Sequence, residues 1–252
     1  MEASVYRVAA ATVNHNTSAY MELMLRSFFA CHSNNTEIIN LRVFDNSSTD
    51  DTSALREYLQ QQGLQLLPSG YSLDTHNNSH GDVLRSFVLE NRNCTHYLFL
   101  DPDVVFIQEN TVGSMLRELE VQPNLFGIGP RLSWDGKDEI PEAVRKENPD
   151  ICDARLHPCC ALIRNTAVFQ RVVKHIGLSC ATQLWTEKDE FLDTFKLMTR
   201  VMLTHGLHHS LATVMVRHFF CVSYEWDSPE LRQQKATIRD QLLQGYRSMT
   251  LQ

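Results

Sequence analysis

No run of eighteen apolar residues occurs anywhere in the 252-residue chain, which excludes a membrane-spanning helix of ordinary length. The opening Met1-Glu2-Ala3-Ser4 also lacks the charged-then-apolar design of a secretory leader. The chain therefore reads as cytoplasmic, with peripheral attachment to a membrane left open. Paired CxxC spacings are missing as well. The seven cysteines, Cys31, Cys94, Cys152, Cys159, Cys160, Cys180 and Cys221, are scattered and odd in number, which argues for reduced structural thiols over zinc or a disulfide framework. Asn-x-Ser/Thr triplets at Asn16, Asn34, Asn46, Asn77 and Asn93 would matter only to an exported chain. Basic residues are in deficit, 23 Lys and Arg against 30 Asp and Glu, so a broad basic face for nucleic acid is not expected. Internal repeats and low-complexity stretches are absent too.

What remains is an ordinary globular balance, 43% hydrophobic and 21% charged, at a length suited to one α/β domain over 1–252. Val5 to Val13 fits a buried strand and ends at Asn14-His15-Asn16-Thr17. Tyr20, Leu23, Met24, Ser27 and Phe28 then share one face of a helix reaching about Ala30. The plan repeats with a strand from Ile38 to Phe44, an acidic loop from Asp45 to Asp51, and a helix from Thr52 to Gln62 closed by Gly63. Leu64 to Leu67 reads as a third strand, a helix runs to about Glu90, and His96 to Leu100 is a fourth strand. Further on, strands are expected at Leu125 to Gly129, Cys159 to Arg164 and Leu211 to Val216. Helices are expected at Asn165 to His175, Thr186 to His205 and Pro229 to Arg247, and Asp135 to Asp150 reads as a mobile charged loop. Strands alternating with helices predict a Rossmann-like, mostly parallel sheet whose loops gather at the carboxyl edge. Three polar loops converge there: Asn14 to Thr17, Asp45 to Asp51, and Asp101 to Asp103.

The strongest local signal is Asp101-Pro102-Asp103, two carboxylates between apolar runs. Buried carboxylates are costly unless paired or metal-bound. Two of them around a stiff proline suit a hard divalent cation, Mn²⁺ or Mg²⁺, that also takes diphosphate oxygens. A simple hairpin turn is the plain alternative.

Together with Val13-Asn14-His15-Asn16 and Asp45-Asn46-Ser47-Ser48-Thr49-Asp50, this motif resembles the GT-A glycosyltransferases, particularly their large inverting family, over residues 5 to 110. The resemblance implies a single GT-A domain, with a donor half at 1–110, an acceptor half at 111–226 and a helical tail at 227–252. It implies a nucleotide site at Val13, Asn14, Asn16, Asp45, Asn46, Asp82 and Asp101, with Asp45 on the base, and a metal site at Asp101, Asp103 and His218. It further implies a base for the acceptor hydroxyl at Asp189 or Glu190, backed by Glu187, at the start of the late helix. Arg217 would neutralise phosphate, and Trp134 would stack on a sugar or latch a loop. The donor would be a UDP or dTDP sugar, the acceptor a saccharide or small molecule, and the reaction an inverting hexosyl or deoxyhexosyl transfer. Self-association into a homo-oligomer stays open.

Structural alternatives accompany these roles. Asp45 and Asn46 readily form an Asx-turn, the late acids favour a helix N-terminus, and His218 beside aromatics suits a packed core. DxDxV is also the nucleophile signature of haloacid-dehalogenase-like phosphatases, although there it opens the fold. A nucleotidyltransferase would carry a Gly- and Lys/Arg-rich first loop, and a Cys159 or Cys160 nucleophile would need a basic neighbour. A non-catalytic protein of the same fold remains the third class.

Overall fold

The computed structural model describes residues 6–33, 38–71, 79–134, 138–151, 154–183, 190–223 and 227–249. A central sheet of eight strands runs in the order β3-β2-β1-β4-β7-β6-β10-β5. Its first half, β1 (Val8–Asn14), β2 (Ile39–Asp45), β3 (Leu66–Pro68) and β4 (His96–Leu100), is parallel throughout. β6 (Leu125–Trp134) and β10 (His208–His218) are also parallel, whereas β7 (Cys160–Arg164) and β5 (Val104–Phe106) pair antiparallel. The result is one α/β domain with a mostly parallel sheet.

Alternation along the strands explains why both faces are covered. Val8 and Ala10 of β1, with Leu98 and Leu100 of β4, face one core, built with α1 (Ser18–Cys31), α2 (Ser53–Gln61) and α4 (Thr111–Glu120). Ala9, Ala11 and Val13, with Tyr97 and Phe99, face the other, built with α3 (Ser79–Glu90), α6 (Ala167–His175) and α7 (Lys196–Thr204). Strands buried on both faces read as continuous apolar runs, as these do.

The link between β4 and β5 shapes the sheet. Four Cα steps separate Leu100 from Val104, a reach of at most about 15 Å, while four strand spacings between β4 and β5 need about 19 Å in a flat sheet. The sheet must therefore curl, bringing its far edge back over the Asp101-Pro102-Asp103 turn. At that edge α8 (Pro229–Met249) covers β5, with Leu243 packing against Val105, Leu23 and Phe219. Ser27 of α1 also receives the Phe106 N–H.

The structure corrects several expected elements. The helix expected from Thr186 to His205 begins only at Lys196; Glu190 to Leu192 instead form β9, antiparallel to β8 (Ala181–Gln183). The chain turns between β9 and α7, where Asp193 Oδ1 takes the Thr194 N–H and Phe195 adopts φ 68°. β6 continues past Gly129 to Trp134, and β10 starts at His208, so His208 and His209 lie in the strand rather than ahead of it. Part of the stretch expected as a mobile loop is α5 (Glu142–Glu147), where Pro141 leads in and Glu142 pairs with Lys146 one turn on.

Candidate metal and nucleotide site

Parallel register places Asn14 beside Asp45 and Thr12 beside Leu100, so the three polar loops do meet at one edge. Asn14 is fully buried and organises the first two. Its side-chain NH2 has Asp45 Oδ1 at 3.1 Å, Ser48 Oγ at 2.9 Å and Ser18 Oγ at 3.0 Å as acceptors for its two hydrogens, and its side-chain oxygen accepts from the Thr17 hydroxyl. Asp50 takes the Ser18 N–H and hydroxyl, a carboxylate at the N-terminus of α1 where the helix dipole favours it. Asn16, at φ 53°, accepts from the Thr49 N–H and hydroxyl and the Asp50 N–H, while Asn46 takes the Ser69 hydroxyl. Asp45 Oδ2 accepts the Ser48 N–H at 3.3 Å, the Asx-type contact that the loop sequence allows.

The third loop is stitched from both sides. The Asp101 N–H donates to the Cys159 carbonyl, and the Phe219 N–H donates to the Asp103 carbonyl. His218, the last residue of β10, thereby arrives opposite Val104 and against the turn. Asp101, Asp103 and His218 each offer a ligand atom, all within 4.8 Å of one another. His218 Nε2 lies 3.1 Å from Asp103 Oδ1, but the approach is not aligned as a hydrogen bond. Among the described residues, neither that oxygen nor His218 Nδ1 has a hydrogen-bond partner. A buried carboxylate oxygen left without a partner is costly, and Asp103 Oδ1, with His218 Nε2 beside it, suits an ion.

The electrostatics run the same way. Burial, and secondarily the like charge of Asp103, raise the Asp101 carboxyl above its ordinary range, against the pull of His80, whose Nε2 stands 3.5 Å away. His157 is pushed well below the usual imidazole range by burial, Arg155 and His218. Its Nδ1 accepts the Cys159 N–H, so the neutral ring carries its proton on Nε2. The His157 and His218 rings stand 5.3 Å apart, and Phe220 packs 4.0 Å from His218 and 5.7 Å from Trp134. Cys160 is buried and its thiol is pushed far above the usual range by burial, which removes it as a nucleophile.

No family model and no curated protein matches the chain. Solved structures do. A mannosyltransferase from Pyrobaculum calidifontis, solved with GDP-Man and Mn²⁺, aligns with 85% of this chain and 58% of its own length at TM-score 0.58 and 13% identity. Glucosyl-3-phosphoglycerate synthase from Mycobacterium tuberculosis, solved with Mn²⁺ and UDP-glucose, aligns with 96% of this chain and 79% of its own at TM-score 0.53 and 13% identity. TarS of S. aureus aligns with 92% of this chain and 39% of its own at TM-score 0.56 and 17% identity. The chain has the GT-A fold.

Within the GT-A frame, Asn14, Asn16, Asp45, Asn46, Asp101, Asp103 and His218 gather at the carboxyl edge, with Val13 buried beneath them. Asp82 sits in the first turn of α3, where its carboxylate receives the Ser179 hydroxyl at 2.7 Å. Gly81 serves that same junction. A Cβ there would stand 2.3 Å from Ser179 Cα, so this glycine lets α3 approach the 178–179 backbone. Asp189 and Glu187 lie outside the described residues. Glu190 stands on β9 and not at a helix start, which corrects the expected placement. The neighbouring Asp193 pairs with buried Arg155 at 2.8 Å.

Two residues beside the turn were given no role of their own in the sequence: His80, within the polar stretch that leads to Asp82, and His157, which leads through Pro158 into Cys159 and Cys160. Nothing in their local sequence announces a contact with residues tens of positions away. Among the described residues, no helix is long and apolar enough to cross a membrane.

Proposed function

We propose that this chain transfers a sugar from a nucleoside-diphosphate sugar to an acceptor hydroxyl, with inversion and with a divalent cation. The observation carrying this reading is the Asp101, Asp103 and His218 cluster, set at the carboxyl edge of a GT-A sheet. Two carboxylates and one imidazole fit Mn²⁺ better than Mg²⁺, which prefers oxygen ligands alone. The bound ion would supply positive charge to the leaving diphosphate.

The chain's own groups divide the remaining work. Asp45, held by Asn14 and the Ser48 N–H, recognises the base, with Val13, Asn14, Asn16 and Asn46 shaping the nucleoside seat. UDP or dTDP is the favoured donor nucleotide, with GDP the alternative that the mannosyltransferase neighbour suggests. Asp82 borders the donor through α3, and Arg217 offsets phosphate charge. A carboxylate at Asp189 or Glu190 takes the acceptor proton, so residues 1–110 bind donor, 111–226 bind acceptor, and 227–252 form a helical tail. A saccharide or small hydroxyl compound is the acceptor.

Calorimetric titration of UDP, dTDP and GDP, each with and without Mn²⁺, tests the reading on the wild type and on Asp103→Ala. One nucleotide binding tightly only with Mn²⁺ and only to the wild type is the expected result. Binding indifferent to both Mn²⁺ and Asp103 sinks it.

A further inference from the structure

The cluster depends on where β10 ends, and β10 ends in an unusual turn. Phe219 is fixed through its N–H to the Asp103 carbonyl, and its ring is buried against Leu243 of α8. Phe220 lays its ring 4.0 Å from the His218 ring, and Cys221 then takes φ 61°, which reverses the chain. The carbonyl of Phe220 would be left facing the protein interior. Lys235 of α8 meets it. This lysine is 3% exposed, and its Nζ donates to Phe220 O at 2.5 Å and to Asp227 Oδ2 at 2.6 Å.

Burying an ammonium costs several kcal/mol unless it is paired and hydrogen-bonded. Nothing about helix docking requires it here, since α8 is already fastened to α1 by Arg247 on Glu22 and by apolar contacts. A buried lysine that meets the Phe220 carbonyl, two residues past His218, and the Asp227 carboxylate ties that turn to the start of α8. We propose that Lys235 is a positioning residue for the metal site: it holds the 218–221 turn so that Phe220 fixes the ring of His218 toward Asp103. The inference rests on the metal-site reading above and extends it to the C-terminal helix. Groups that orient a metal-ligating histidine commonly change metal affinity about 10–100-fold when removed.

The test is direct Mn²⁺ binding without nucleotide, followed by electron paramagnetic resonance of free Mn²⁺, on wild type, Lys235→Met, Lys235→Arg, Asp227→Asn, Arg247→Met and Asp103→Ala. Lys235→Met is expected to weaken Mn²⁺ binding about tenfold, with Asp227→Asn weaker by a smaller factor and Lys235→Arg recovering part of the loss. Arg247→Met loosens the same helix far from the turn, and it is expected to lower the melting temperature while leaving Mn²⁺ affinity unchanged. Wild-type affinity in Lys235→Met, or equal losses in Lys235→Met and Arg247→Met, overturns the proposal. Should Lys235→Met fail to fold, Asp227→Asn decides alone, and unchanged affinity there overturns it. Mn²⁺ binding abolished in Asp103→Ala but intact in Lys235→Met removes only this inference, whereas no binding by the wild type removes the metal-site reading with it.

Discussion

At the scale of single residues, buried polar side chains here bridge distant parts of the chain. His32 is 1% exposed, donates from Nδ1 to the Phe28 carbonyl at 2.7 Å, and accepts the Val112 N–H on Nε2 at 3.1 Å, thereby capping α4. Burial lowers its pKa to about 4 from 6.5, against the opposing Phe28 bond. The neutral ring therefore stabilises the fold fully above pH 6.5, and this contribution fades as pH falls toward 4. By pH 5 the loss is about 2 kcal/mol. Urea unfolding at pH 7.5 and 5 should show it in the wild type, and His32→Gln should flatten that difference. Gly81→Ala should cost about 1–3 kcal/mol by driving a methyl into the Ser179 backbone. It should also weaken nucleotide binding, because α3 carries His80 to Asp101; a Gly81→Ala protein with wild-type melting temperature would contradict this packing. The acidic turn was legible in the sequence because two carboxylates amid apolar residues are rare. Asn14 was legible as polar, but its burial and fastening of two loops were not.

At the scale of elements, strands buried on both faces were read most reliably, β4 to the residue, because their apolar runs are unbroken. The stretch around β9 was misread because Phe191, Leu192 and Phe195 mimic a helical face, while the left-handed Phe195 that precedes α7 has no sequence signature. Helix α1 offers a second lesson. Glu22 sits within its buried face at 2% exposure, an oddity explained by Arg26 one turn along α1 and by Arg247 from α8, which both bind the carboxylate. Burial alone would raise the Glu22 pKa, but the Arg247 and Arg26 hydrogen bonds outweigh it and hold it below 4.5. The pairing thus stabilises above that pH and is lost as pH falls through the lowered value. Arg247→Ala should cost about 2 kcal/mol at pH 7. The gap from wild type should narrow on acidification below pH 4.5, which chemical unfolding at pH 7 and pH 3.5 would measure.

At the scale of the whole molecule, the curl imposed by the short β4 to β5 link makes the candidate site a product of the fold and not of one loop. A ligand bound only by the native state stabilises it by about 2.7 kcal/mol at a hundred times its dissociation constant. Saturating Mn²⁺ should accordingly raise the wild-type melting temperature by several degrees and leave Asp103→Ala unmoved, as differential scanning calorimetry would record. Fold class and the loops after β1, β2 and β4 were legible because local pattern and motif order coincide there. The arrangement beyond residue 110 was not, because its geometry depends on long-range pairing of β6, β7 and β10.

That pairing also sets a schedule. His218 follows Asp103 by 115 residues. At a synthesis rate of about 5–20 residues per second, the ribosome delivers Asp101 and Asp103 about 6–23 s before their histidine partner. A nascent chain halted within α7 has the first four parallel strands in hand and both carboxylates made, yet β5 has no strand to join and Asp103 lacks the His218 imidazole. On the proposed metal reading, ion capture would be the last act of biogenesis, and metal content would mark chains that were finished and closed.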